Sequence, residues 1–299
     1  MTPRESLQLL GRLCSDEQVA QARSFGIGLC IVAGEAAMQD WQGKWAVVTG
    51  ASAGIGAALA SQLAAGGTHL VLTARRKDRL DELAAKLHAT HGVNVEVFPA
   101  DLARPETPET LFAFTQGKGI AVEVLVNNAG FGAYGPFAEI PLHRQLEMVQ
   151  VNVAAVIQLT HLYLPAMMAR RRGHILILAS TAGFQAVPFI STYAATKSFD
   201  LYFAEALSEE VRPHGVHITA LCPGATSTEF QQVAEQPDYA FRSAEGPEAV
   251  ARAGLEALAA GKPVVISGTR NRLMTVSQRL APRRLVTAVA GRMFRPPQG

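Results

Sequence analysis

Cysteine is scarce. Cys14, Cys30 and Cys222 share no spacing that suits a zinc site or a disulfide framework, which points to a reducing compartment. Charge is scarce as well, at 17% of the 299 residues. Hydrophobic residues make up 48%, however, so the composition is that of a packed domain and not of a disordered chain. A domain this long buries roughly 75% of its unfolded surface and folds without metal or disulfide staples. No unbroken apolar run reaches the roughly 18 residues a spanning helix needs. A formal net charge of +2 gives nucleic acid no basic surplus to bind. There is no internal repeat, no linker-like tract and no metal-ligating set.

A regular pattern starts at Trp45. Short β-branched or apolar runs at Trp45–Thr49, His69–Thr73, Val93–Phe98, Val122–Asn127, His174–Ala179, Val216–Leu221 and Val264–Ser267 read as buried strands. Longer helical-period segments separate them: Ile55–Ala65, Lys77–His91, Pro105–Gln116, Leu142–Ala169, Ser191–Arg212 and Pro247–Ala260. Strand–helix alternation implies an α/β fold, a Rossmann-like doubly wound parallel sheet of about seven strands. We expect one catalytic domain over residues 41–269, with extensions at 1–40 and 270–299.

Residues 1–40 fit a signal peptide poorly, because Glu5, Asp16 and Glu17 precede the apolar run Phe25–Ala33. They read as a helical or floppy extension. A second reading starts the native protein at Met38: Gly34-Glu35 can be encoded by GGA-GAA, which resembles a bacterial ribosome-binding site.

Thr49-Gly50-Ala51-Ser52-Ala53-Gly54-Ile55-Gly56 joins the first strand to the first helix. Glycines there let backbone approach a pyrophosphate, and a helix N-terminus supplies N–H groups. Asn127-Asn128-Ala129-Gly130 follows the fourth strand, Ser180 the fifth, and Tyr193 and Lys197 form a YxxxK pair. On these motifs, in order from about Lys44 to Thr228, the chain resembles the short-chain dehydrogenase/reductase family.

Where an NAD-binding fold places an acid after the second strand, this chain has Arg75-Arg76, and a guanidinium there pairs with a 2′-phosphate. NADP(H) is therefore the expected cofactor; two solvated arginines opening a helix are the plainer alternative. Tyr193 and Lys197 share a helix face, and the ammonium is expected to lower the phenol pKa toward working pH.

The resemblance implies the roles. Tyr193 exchanges a proton with the carbonyl oxygen, Ser180 polarises that oxygen, Lys197 tunes Tyr193 and holds ribose hydroxyls, and Asn152 holds a water leading to solvent. Gly50, Ser52, Gly54, Ile55 and Gly56 cradle the cofactor. Asp101 and Leu102 contact adenine, Asn128, Ala129 and Gly130 shape the pocket, Pro223 and Gly224 turn over the nicotinamide, and Thr228 meets its carboxamide. No metal is implied. A homodimer or homotetramer pairing through the two long helices is expected.

Phe131, Tyr134, Phe137, Phe184, Val187, Phe189 and Phe230 are candidate pocket or core residues, and they favour a small apolar carbonyl or alcohol as substrate. Residues 225–245 are expected to form a lid. After Glu256 there is no acid: residues 257–299 carry +8 and the rest carry −6. The basic, amphipathic tail suits peripheral contact of a cytoplasmic protein with an anionic membrane, or docking on the enzyme's own flank. The alternative to an enzyme is an NADP(H)-sensing or membrane-associated binding protein on the same fold.

Overall fold

The computed structural model describes residues 39–230, 234, 244–278 and 280–296. Cys14, Cys30, Met38 and the reading of residues 1–37 as a leader lie outside the described residues, as do Arg279 and most of the expected lid.

Seven parallel strands form one sheet: β1 (Trp45–Thr49), β2 (His69–Ala74), β3 (Val95–Pro99), β4 (Val122–Asn127), β5 (Gly173–Leu178), β6 (Val216–Cys222) and β7 (Val264–Ile266). Their order is β3-β2-β1-β4-β5-β6-β7. Strands buried on both faces need continuous apolar runs, and β1, β2 and β4 are buried along nearly their whole length. On one face, α1 (Gly54–Ala65), α2 (Lys77–His91) and α7 (Pro247–Ala259) bury Leu59, Leu63, Leu80, Val250 and Leu255. On the other, α3 (Thr107–Gly117), α5 (Ala155–Ala169) and α6 (Ser191–Val211) bury Leu111, Leu159, Met167 and Leu201. Each fully buried side chain of this size contributes about 1.5–3 kcal/mol.

The expected helix Leu142–Ala169 is interrupted. α4 (Leu142–Val149) passes through a π turn, Gln150–Ala154, before α5 resumes. By length and composition this stretch would qualify as a membrane span, with a mean hydropathy of 1.3, although it contains no unbroken apolar run. Its apolar residues are instead divided between core, at Val156 and Leu159, and surface, at Leu142 and Leu146.

A polar cluster pins residues 39–41 to the amino-terminal edge of the sheet. Glu123 on β4 accepts from Arg172 Nε at 2.8 Å, and Trp41 Nε1 donates to His174 Nδ1 at 3.2 Å. Burial pushes the Glu123 carboxyl up, but His174, Arg172 and Arg170 together hold it below its ordinary value.

The tail forms two helices, α8 (Thr269–Gln278) and α9 (Arg283–Met293), and Pro282 caps the start of the second. α9 buries Ala290 against Val187, Ile190 and Ala194. The expected lid is closed at its base, where Ser227 N donates to Glu245 O and Glu245 N to Ala225 O, each at 2.9 Å.

Candidate active site

The strand order reverses between β1 and β4, which opens a crevice at their carboxyl ends. Thr49 ties its walls together: its Oγ1 donates to Val126 O at 3.1 Å and accepts from the Asn128 and Ala129 amides at 2.9 Å. Asn128 Nδ2 donates back to Thr49 O at 2.8 Å. The glycine loop fits tightly between them. Gly50 has φ +67°, and a Cβ on Gly56 would lie 2.3 Å from Gly50 O. α1 starts after Ala53, which offers no side-chain cap, so its first N–H groups are left for a ligand. Gly50, Ser52, Gly54, Ile55, Gly56, Arg75, Arg76, Asp101, Leu102, Asn128, Ala129, Gly130 and Thr228 all line one cavity of about 310 Å³. The residues present therefore fit a dinucleotide.

At one end of this cavity, Arg76 donates to Ser52 Oγ from Nε and Nη2 at 3.3 and 3.1 Å. Its Nη1 pairs with Glu229 at 2.7 Å, and Arg79 holds the other oxygen of the same carboxylate. Arg79 and Arg76 hold the Glu229 carboxyl below its ordinary value. Two guanidiniums thus already converge on an anion beside the glycine loop. Arg75 is exposed along the same wall. Asp101 also braces its own turn, accepting from Ala103 N at 3.0 Å.

A second cavity, of about 160 Å³, adjoins the first and is lined by Ser180, Tyr193 and Lys197 together with Pro223, Gly224 and Thr228. Ser180 follows β5 and also caps the short turn Thr181–Phe184 by accepting from Ala182 N at 3.1 Å. Tyr193 and Lys197 lie one turn apart on α6, and the Tyr193 ring packs 5.3 Å from that of Phe230. Contrary to expectation, the phenol sits above its ordinary value. Burial pushes it up more than Lys197 and the Ser180 hydrogen bond pull it down, and Asp200 adds to the rise.

Asn152 is fully buried in the π turn and does not line this cavity. Its Oδ1 accepts from Phe131 N at 3.1 Å, and its Nδ2 donates to Phe131 O and Thr196 Oγ1 at 3.0 Å. Gly130 separates it from Lys197: a Cβ there would lie 3.1 Å from Asn152 Oδ1 and 3.5 Å from Lys197 Nζ.

The model of the short chain dehydrogenase family matches residues 44–238. The chain belongs to the short-chain dehydrogenase family. The chain is 34% identical over 237 residues to a very-long-chain 3-oxoacyl-CoA reductase of Anas platyrhynchos, covering 78% of this chain and 71% of that one. It spans 58% of the length of a like-named protein of Phaeosphaeria nodorum, at 34% identity over 64% of this chain. Among solved structures, a short-chain dehydrogenase from Sphingobium yanoikuyae in complex with NADPH superposes with a TM-score of 0.72 at 30% identity, over 86% of this chain and 97% of that one. A 7beta-hydroxysteroid dehydrogenase structure superposes with a TM-score of 0.77 at 27% identity, over 85% and 99%.

Three features of this short-chain dehydrogenase escape the sequence motifs. Asp200 pairs with Lys197 at 2.9 Å; its signal was an acid three residues on, on the same helix face. Phe294 reaches the cavity of Tyr193 from the tail, more than a hundred residues away in sequence, and no local pattern announces it. Glu229 stands outside the apolar set, yet it bridges two arginines. Of the aromatic candidates, Phe230 lines the Tyr193 cavity and Phe131 the neighbouring one. Phe184 packs on the core, Tyr134 and Val187 belong to the α9 contact, and Phe137 is exposed. Phe189, with φ +69°, lines a groove under α9.

Proposed function

We propose that the protein is an NADP(H)-dependent oxidoreductase interconverting an apolar, lipid-like ketone or aldehyde and its alcohol. One observation carries this reading: Ser180, Tyr193 and Lys197 share a cavity whose other walls include Ile55, Leu178, Ile190, Phe230 and Phe294. These apolar walls suit a greasy substrate, and the relatives are named for a 3-oxoacyl-CoA and a 7β-hydroxysteroid.

The nicotinamide, when bound, supplies or accepts the hydride. The chain does the rest. Tyr193 gives its phenolic proton to the carbonyl oxygen in reduction and takes it back in oxidation. Ser180 hydrogen-bonds the same oxygen. Lys197 adds positive charge beside the phenol and keeps a third N–H for the ribose hydroxyls, since two are spent on Leu178 O and Asp200 among the described residues. Asn152 fixes the Phe131 backbone, and the family resemblance gives it a water between Lys197 and solvent. Gly50 to Gly56 take the pyrophosphate, Arg75 and Arg76 the 2′-phosphate, and Asp101 and Leu102 the adenine. Asn128, Ala129 and Gly130 shape the pocket wall, while Pro223, Gly224 and Thr228 close over the nicotinamide.

The protein is a homo-oligomer in this reading, because α4 and α6 leave Leu142, Leu146 and Tyr202 exposed. It is cytoplasmic, with peripheral membrane contact through α8 and α9. Those helices expose Leu273, Val276, Leu285 and Met293 among arginines. Consumption of NADPH and NADH against a panel of apolar ketones and aldehydes tests the function. Turnover preferring NADPH is expected. Nucleotide binding with no turnover across the panel would contradict it and favour a sensor.

A further inference from the structure

We propose that Asp200 is a positioning residue of the reaction: its buried carboxylate keeps the Lys197 ammonium charged and fixed beside Tyr193. Asp200 is 0% exposed and Lys197 4%. Oδ2 accepts from Lys197 Nζ at 2.9 Å, and Nζ also donates to Leu178 O at 2.6 Å, at the end of β5 and two residues before Ser180. These two bonds fix the direction of the ammonium. Among the described residues Oδ1 is buried without a hydrogen-bond partner, an arrangement that a purely structural residue would avoid. An ammonium this deep and unpaired would shed its proton rather than bear the desolvation cost. Burial pushes Lys197 down, but the Asp200 carboxylate, with Tyr193 and Cys222 adding to it, holds the amine above its ordinary value. The same charge opposes Lys197 at Tyr193. The pair thus supplies a fixed, charged donor while limiting how far the phenol is acidified.

On α6 itself the neighbours are Tyr193 and Glu205, and on β6 the facing group is Cys222, whose thiol is pushed up to about 12 by burial and stays neutral. The other elements packed on α6 bring His217 on β6, His174 on β5, His143, Arg144 and Glu147 on α4, and Arg212 and His214 at its far end. None of these is among the groups that shift Lys197 or Asp200; burial pushes the Asp200 carboxyl up, and Lys197 pulls it back down.

The inference rests on the proposed oxidoreductase reading, so the test has one arm that needs no turnover. In the full chain, the Lys197 side-chain carbon signal is followed with pH by NMR and assigned with Lys197→Met. In Asp200→Asn, which keeps the size and an acceptor oxygen but removes the charge, the Lys197 midpoint falls by about one pH unit or more. In the second arm, the alkaline fall of kcat for carbonyl reduction moves to lower pH in the same variant. Removing a buried negative charge makes the first proton easier to lose from the Tyr193–Lys197 pair, whichever of the two gives it up. If Asp200→Asn does not fold, Asp200→Ser carries the same prediction, and Asp200→Glu restores the wild-type profile. An unmoved Lys197 midpoint in a folded variant overturns the proposal. A wild type without turnover would overturn the oxidoreductase reading alone, and the NMR arm would still decide the role of Asp200.

Discussion

In the proposed function, Arg76 is the residue that decides cofactor choice. Its guanidinium spends two donors on Ser52 Oγ and one on Glu229, and a 2′-phosphate bound there would take the place of that carboxylate. A charge-assisted hydrogen bond to a phosphate is worth about 1.5–3 kcal/mol, on the order of a 10- to 100-fold effect. Arg76→Ala should therefore lower kcat/KM for NADPH by about that factor while leaving NADH nearly unchanged, as paired steady-state assays would show. Equal losses with both cofactors would remove Arg76 from the role. That Arg75 and Arg76 line the glycine-loop cavity was legible because a missing acid after the second strand is a local feature. Glu229 was not, since it lies 153 residues from Arg76 and only the closed crevice brings them together. The pKa of Tyr193 was misjudged for a similar reason. The YxxxK spacing shows the ammonium but neither the depth of the phenol nor the opposing charge of Asp200.

Among the elements, the strand–loop–helix unit from β1 to α1 is the one proposed to bind the cofactor, and its shape depends on missing side chains. A Cβ on Gly56 would meet Gly50 O at 2.3 Å and Asn128 Nδ2 at 2.5 Å. Gly56→Ala must push α1 away from the loop, which costs about 1–3 kcal/mol of stability and misplaces the N–H cradle. We expect a lower Tm and loss of NADPH binding by calorimetry; unchanged affinity would show that the cradle lies elsewhere. The strands and most helices were legible to within about two residues, because burial on both sheet faces demands apolar runs bounded by glycine and polar turns. The π turn at Gln150–Ala154 was not legible, because apolar spacing continues through it from α4 into α5. It matters because it carries Asn152 to the Phe131 backbone.

At the scale of the whole molecule, the tail both completes the protein and leaves a surface. Ala290 and Phe294 face inward, toward the loop after β5 and the Tyr193 cavity. Leu285, Val289 and Met293 face outward on the same helix as Arg283, Arg284 and Arg292. The amphipathic spacing showed two faces but could not say which one docks, since both are apolar in part. If the outer face meets anionic lipid, the full chain floats with phosphatidylserine vesicles at low salt, and replacing Arg283, Arg284 and Arg292 by Glu abolishes flotation. Flotation unaffected by these changes would count against that surface. In the proposed function, Ser180, Tyr193 and Lys197 act together on a carbonyl beside a bound nicotinamide. Tyr193→Phe removes one oxygen from that arrangement and tests it most directly. Measured on the best substrate of the panel, the variant should bind NADPH as the wild type does and lose about 10²- to 10⁴-fold in kcat. Turnover within a factor of about two of the wild type would remove Tyr193 from the proton-transfer role.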